Sequence, residues 1–374
     1  MPGFPERHGV PLVVARAFRA VLECRTAVLG GHVVKCEDGH VISAHYNACR
    51  NRSCPRCAFY RTARWLKRQA GTLLGCPHHH IIFTIPHQLN ELWLCNYRVL
   101  SELLFASARA ALFTLAADPR YLGATPGAIM ALHTWGQQLL LHPHLHVLVT
   151  AGGVCGAGSW LASRRRWFLP AEPLKQLFRG AFLSGLKELA ERGKLRLPDG
   201  RTAAEIRALC RQLWDTRWNV EVRERYQDPT AVLNYLGRYL NGGPIGEGRL
   251  LGLEGDRVSF RYKDYRTQDA KGVPEKVLEL DCDEFVRRVL LHVPPQGFHL
   301  VRGYGLYRRG GNTEQVRRFL RDTLPITPEL HQALAASFTD TAPEPEYPSH
   351  CPICGKPVHL TWYPRRAGPF AVAA

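Results

Sequence analysis

His142-Pro143-His144-Leu145-His146-Val147-Leu148-Val149 is the stretch on which the reading of this chain turns. Leu145 to Thr150 suits a β-strand that Gly152-Gly153 ends. Successive side chains on a strand point to opposite faces. His144 and His146 therefore share one side, and Leu145 and Val147 share the other. The apolar side suits a core. The other side carries two imidazoles, a common beginning for a divalent-metal site.

Working outward, His79 to Ile85 reads as a strand between Pro77 and Pro86, and Ala128 to Trp135 as another. Between them, Asn90 to Ala117 reads as one long helix, with Leu92, Leu100, Leu103, Leu104 and Leu112 on its apolar face. Pro173 to Arg192 and Thr202 to Trp214 look helical, and Trp218 to Val222 extended. Strands interleaved with helices predict a sheet covered by helices, an α+β or α/β arrangement.

Further on, Asp228-Pro229 opens a helix as N-cap and first helical residue, and Gly242 and Pro244 mark its end. Tyr235 and Tyr239 lie four apart and so share a helical face, with Arg238 between them suited to a phosphate. Two phenols presented together can act as two nucleophiles. A phenolate attacking a phosphodiester leaves a 5′-phosphotyrosine and a free 3′-OH, and a metal held by the histidines would polarise the phosphate. The covalent link stores the bond energy, so another 3′-OH can reverse the step without ATP.

Near the start stand Cys36-Glu37-Asp38-Gly39-His40 and Cys49-Arg50-Asn51-Arg52-Ser53-Cys54-Pro55-Arg56-Cys57. Tetrahedral zinc takes four N or S ligands. Cys36, His40, Cys49, Cys54 and Cys57 offer five, and the spacing leaves open which one stands outside. Arg50, Arg52 and Arg56, with Lys35, Arg61, Arg64, Lys67 and Arg68 around them, suit a grip on DNA phosphates. Further basic stretches are Arg164-Arg165-Arg166-Trp167 and a set of Arg302, Arg308, Arg309, Arg317, Arg318 and Arg321. Cys351-Pro352-Ile353-Cys354 is a second CxxC with no evident partner beyond the nearby His350 and His359, open to a small zinc site or a thiol pair.

The 374 residues carry 49 Lys and Arg against 32 Asp and Glu, a net charge of +17. That excess points to a polyanionic partner, nucleic acid before a membrane surface. No apolar run of about 20 residues and no signal pattern stands out, so the reading places the chain in the cytoplasm with no membrane partner. There the twelve cysteines are expected as buried thiols or metal ligands rather than disulfides. Character changes along the chain suggest three stretches: a zinc-binding DNA-recognition module over 1–70, a nuclease domain over 71–300, and a basic C-terminal region with a CxxC tail over 301–374.

The His-x-His strand followed by a Tyr-x-x-x-Tyr helix resembles the HUH nuclease superfamily. More narrowly, the chain resembles the two-tyrosine rolling-circle transposases of bacterial insertion sequences, which carry an N-terminal zinc-binding domain. The resemblance runs through Ser53-Cys54-Pro55-Arg56-Cys57, Phe83-Thr84-Ile85-Pro86, His133-Thr134-Trp135-Gly136, His142 to His146, Tyr235 to Tyr239, Glu284 to Arg288, Gly297-Phe298 and Arg302-Gly303-Tyr304-Gly305. It implies an α+β fold, an antiparallel HUH sheet with packed helices beside a small zinc module. It implies Tyr235 and Tyr239 as nucleophiles and His144 and His146 as ligands of Mg²⁺ or Mn²⁺. Gln137 is taken as third ligand, with His133 as the other candidate. It further implies structural Zn²⁺, single-stranded and element-end DNA as partners, and a place at the bacterial nucleoid. With no helicase module in the sequence, host replication or helicase proteins would assist. The family's Cys-x-x-Cys-Gly-His is here Cys36-Glu37-Asp38-Gly39-His40, one cysteine short, so His40 or Cys49 would substitute. A plasmid relaxase or replication initiator would use the same chemistry, and a zinc-finger DNA-binding regulator would lack it.

Overall fold

The computed structural model describes residues 4–57, 65, 72–163, 169–198, 201–226, 243–267, 272–310, 312–323 and 347–364. In chain order the strands are β1 (Gly31–Cys36), β2 (Val41–Tyr46), β3 (His78–Thr84), β4 (Thr125–Trp135), β5 (Leu141–Val154), β6 (Trp160–Ala162), β7 (Asn219–Tyr226), β8 (Leu250–Glu254), β9 (Arg257–Lys263), β10 (Glu275–Asp281), β11 (Val301–Gly305) and β12 (Val358–Tyr363). The helices are α1 (Phe4–His8), α2 (Leu12–Leu22), α3 (Asn90–Cys95), α4 (Tyr97–Ala117), α5 (Ala171–Glu191), α6 (Ala203–Asp215), α7 (Cys282–Leu290) and α8 (Asn312–Thr323). Two compact units result. The first gathers 1–64, 242–293 and 338–374, and the second 65–241 and 294–337. The chain thus visits the first unit three times, where composition suggested three successive stretches.

The second unit is the expected antiparallel sheet with helices on it. Its strand order is β11-β4-β5-β3-β7, with β6 added to β5. Alternation decides which face is dry. Ile81 and Phe83 of β3, Met130 and Leu132 of β4, and Leu145, Val147 and Val149 of β5 all enter one core. Leu104 and Leu112 of α4, Phe178 and Phe182 of α5, and Ile206 and Leu213 of α6 meet them there. Each such side chain contributes about 1.5–3 kcal/mol by burial.

Three local features refine the expected elements. The helix foreseen over Asn90–Ala117 is broken at Asn96. That buried amide bonds the Leu92 and Arg196 carbonyls at 2.9 and 2.7 Å and accepts from the Arg196 N–H at 2.7 Å. β5 does not stop at Gly152-Gly153, because β6 pairs there and the Trp160 indole fills the place where a Gly152 Cβ would stand. α6 opens on a capping box between Thr202 and Glu205. α4 is long and apolar enough to cross a membrane, but more than half of its most apolar window is buried, in this unit's core.

The first unit is built from smaller pieces. β12-β1-β2 and β10-β9-β8 form separate three-stranded antiparallel sheets. Phe4 and Phe18 pack with Val286 and Leu290 of α7, and a further small cluster is made of Cys24, Cys54 and Cys57 with Cys49 and Val21. Small cores of this kind usually need a staple such as a structural metal.

Candidate metal centres

Across β5 from the dry face, the sheet carries histidines. β4 and β5 pair with His133 opposite His144 and Ala131 opposite His146. Because Met130 and Leu132 face the core, His133 must face the other way, onto the side of His144 and His146. The ring nitrogens of these three all lie within 4.8 Å of one another, and His144 Nε2 stands 3.2 Å from His146 Nε2. Trp135 stacks on His133 at 4.4 Å between centroids and fixes its ring plane.

Further contacts orient the rings. His144 Nδ1 donates to the His142 carbonyl at 2.6 Å, which leaves Nε2 as its lone-pair nitrogen. His146 Nδ1 is 3.0 Å from His80 Nε2, on the neighbouring strand. With a cation between the Nε2 atoms, His146 would donate from Nδ1 to His80, the arrangement in which outer partners hold metal-binding imidazoles. Burial keeps His80, His144 and His146 uncharged. It draws His144 down to about 4, helped by His142, and His80 to about 3. It also holds His146 well below the ordinary histidine value, with His133 and His144 adding to the effect. Neutral imidazoles with lone pairs facing one another are a fitting cation cradle.

The sequence candidates fall out as follows. The structure brings His144 and His146 together. His133 lies on the same face, its ring nitrogen within 4.8 Å of theirs, and Gln137, taken as the third ligand, stands in the turn after β4. His80 was not foreseen as a partner, although the alternation of Ile81 and Phe83 in β3 already assigns it to this face. Tyr235, Tyr239, Arg238 and the expected helix from Asp228 lie outside the described residues, as does Arg164-Arg165-Arg166-Trp167.

The five zinc candidates do not converge on one point; they divide. Cys54 and Cys57 join Cys49 and a residue not considered, Cys24, which follows α2. Cys36 and His40 meet Cys351 and Cys354 instead. In the first set Cys57 Sγ lies 3.5 Å from Cys24 Sγ and 3.6 Å from Cys49 Sγ. A tetrahedron with Zn–S bonds of about 2.3 Å has edges of about 3.8 Å, so these gaps suit a shared zinc. The Asn51 N–H points at Cys49 Sγ from 3.4 Å, across a turn in which Arg50 takes φ +55°. All twelve cysteines are free of disulfides, as expected.

The basic residues also separate. Arg50 is exposed, Arg52 is half-buried, and Arg56 is exposed but paired with Glu247 at 2.8 Å. Two arginines expected on a DNA-facing surface instead serve the fold. Arg302 pairs with Glu102 at 2.5 Å over the Phe105 ring, and buried Arg317 donates to the Leu306 and Arg308 carbonyls at 3.0 and 2.8 Å. Arg308, Arg309 and Arg318 remain exposed.

Residues 127–315 match a family described as "Putative transposase", and residues 1–85 match the "Transposase zinc-binding domain". A protein named "Putative transposase y4qJ" from Sinorhizobium fredii is 42% identical over 296 residues, covering 78% of this chain and 73% of its own. The "Transposase for insertion sequence element IS801" from Pseudomonas savastanoi pv. phaseolicola is 30% identical over 376 residues, covering 94% and 84%. No solved structure matches.

Proposed function

The chain belongs to this transposase family, with its zinc-binding domain, and from that premise we propose that it nicks and transfers single-stranded DNA through a tyrosine-linked intermediate. The observation that carries the reading is the convergence of His133, His144 and His146 on one sheet face, with buried His144 and His146 uncharged and held from behind by the His142 carbonyl and His80. These three would hold Mg²⁺ or Mn²⁺, which when bound supplies Lewis-acid polarisation of the scissile phosphate.

The chain's own groups do the rest. Tyr235 or Tyr239 attacks phosphorus through its phenolate oxygen. The new O–P bond forms as the P–O3′ bond breaks, and the proton lost by the phenol ends on the departing 3′-OH. Arg238, between the two phenols in sequence, would balance phosphate charge. A second 3′-OH attacking the phosphotyrosine reverses the step and joins strands. The zinc-bearing unit, with exposed Arg50, would grip the backbone of element-end DNA. Host replication or helicase proteins would supply the single strand.

An oligonucleotide cleavage assay tests this. With Mn²⁺ or Mg²⁺, intact protein should yield a covalent 5′ adduct that survives denaturation. The adduct should vanish in the Tyr235→Phe/Tyr239→Phe double variant. Binding without cleavage by intact protein would favour a DNA-binding regulator instead.

A further inference from the structure

The matched zinc-binding domain ends at residue 85, and Cys351 and Cys354 lie far beyond it. We propose that Cys36, His40, Cys351 and Cys354 hold a second zinc ion, which clasps the far end of the chain onto the first unit.

The donor set is complete. Three thiols and one imidazole, all within 4.8 Å of one another, fill the four places of a tetrahedral site. Cys36 Sγ is 3.6 Å from Cys354 Sγ and 3.4 Å from His40 Nδ1, and Cys351 Sγ is 3.8 Å from the same nitrogen. Those are the edges of a zinc tetrahedron, and too long for a disulfide. Soft thiolates with one imidazole select zinc over magnesium or manganese, which prefer oxygen.

Both ligand pairs ride on similar turns. The Gly39 N–H closes onto the Cys36 carbonyl at 3.0 Å with φ +86°, and the Gly355 N–H onto the Cys351 carbonyl at 2.9 Å with φ +73°. Three places after Cys351 stands Cys354, whereas three places after Cys36 stands Gly39, which has no donor. His40, one residue later, reaches in through Nδ1. The imidazole thus stands where the tight CxxC turn would present a thiol. The Ile353 N–H approaches Cys351 Sγ at 3.4 Å, a contact that favours thiolate. Lys356 pairs with Asp38 across the two turns.

The rest of the contact explains why a clasp is needed. β12 lies along β1 from Gly31↔Tyr363 to Cys36↔Val358, so the paired strands run directly into the site. Yet none of the β12 side chains is buried. Six backbone pairings with so little apolar burial hold a strand weakly. Zinc ligation, which by itself folds many small zinc domains, is large enough to secure it.

The test uses the full chain, purified and assayed for bound zinc. Two equivalents are expected, falling to one in Cys351→Ser/Cys354→Ser. Hydrogen exchange over 347–364 and 31–46 should accelerate at least tenfold in that variant, with β3 to β5 unchanged. One equivalent in the wild type, or two in the double variant, would overturn the proposal. His40→Cys guards against simple misfolding. It should keep two equivalents, and with Co²⁺ in place of zinc its visible bands should move toward those of an all-thiolate site. Unchanged Co²⁺ bands in His40→Cys would remove His40 from the ligand set and overturn the proposal as well.

Discussion

The histidine face and the cysteine clusters bring metal-binding residues together by opposite means. His133, His144 and His146 stand on adjacent strands of a large sheet whose other face fills a continuous apolar core. Their positions follow from register and alternation alone. The cysteines sit on turns and strand ends in a unit whose described core clusters are small. In the second unit the fold makes the site. In the first, the sites complete the fold.

Chelation is the strongest way to break this contrast. Stripping zinc should bring amide exchange in β1, β2 and β12 close to that of an unfolded chain, a loss on the order of 10 kcal/mol, while β3 to β5 keep their protection. Simultaneous loss in both units would end the distinction. Next in size, His144→Ala or His133→Ala should lower cleavage by about 10³-fold, several kcal/mol of transition-state stabilisation, with melting temperature nearly unchanged. Gln137→Ala should stay within a few-fold of wild type. The reverse order for His133 and Gln137 would return the third place to the turn.

A pH titration comes third. Burial depresses His78 and His79 to about 4, so below 6.5 the unfolded chain takes up protons that the folded chain refuses. Stability of the second unit should therefore fall between pH 6.5 and 4, by about 1.4 kcal/mol per pH unit for each imidazole. Denaturant melts across that range would show it, and a flat profile would contradict it. Gly305→Ala should cost about 2–3 kcal/mol in the same unit. Its φ is +55°, and a Cβ would stand 2.0 Å from the Pro126 carbonyl oxygen. The smallest effect is expected for Arg302→Lys, about 1 kcal/mol of stability, from a pair in which Glu102 is half exposed. DNA affinity should be untouched there, whereas Arg308→Ala/Arg309→Ala should weaken binding and flatten its salt dependence.

The same contrast governs what could be read in advance. The sheet was legible because alternation is local: Leu145 and Val147 set the face of His144 without knowledge of any other strand. Applying that rule to Met130 and Leu132 places His133 on the same face. The cysteine pairing was not legible. Cys24 follows a helix and belongs to no CxxC, and His40 meets Cys351 across 311 residues, a separation to which no local spacing rule applies. Nor does composition reveal that β8 to β10 return to the first unit, since pairing between hairpins leaves no periodic trace across the chain. The break at Asn96 leaves no local sequence signal, because its partner is the main chain at Arg196.

The meeting of β1 with β12 also sets an order of events during synthesis. The N-terminal strands leave the ribosome first, but their partner strand and two of the four donors emerge only after 311 further residues. At about 5–20 residues per second, that is a wait of roughly 15–60 s. Throughout it the β1 edge lies open to other chains. An element whose coding frame is cut short near its 3′ end would leave that edge exposed permanently, even with its sheet histidines intact.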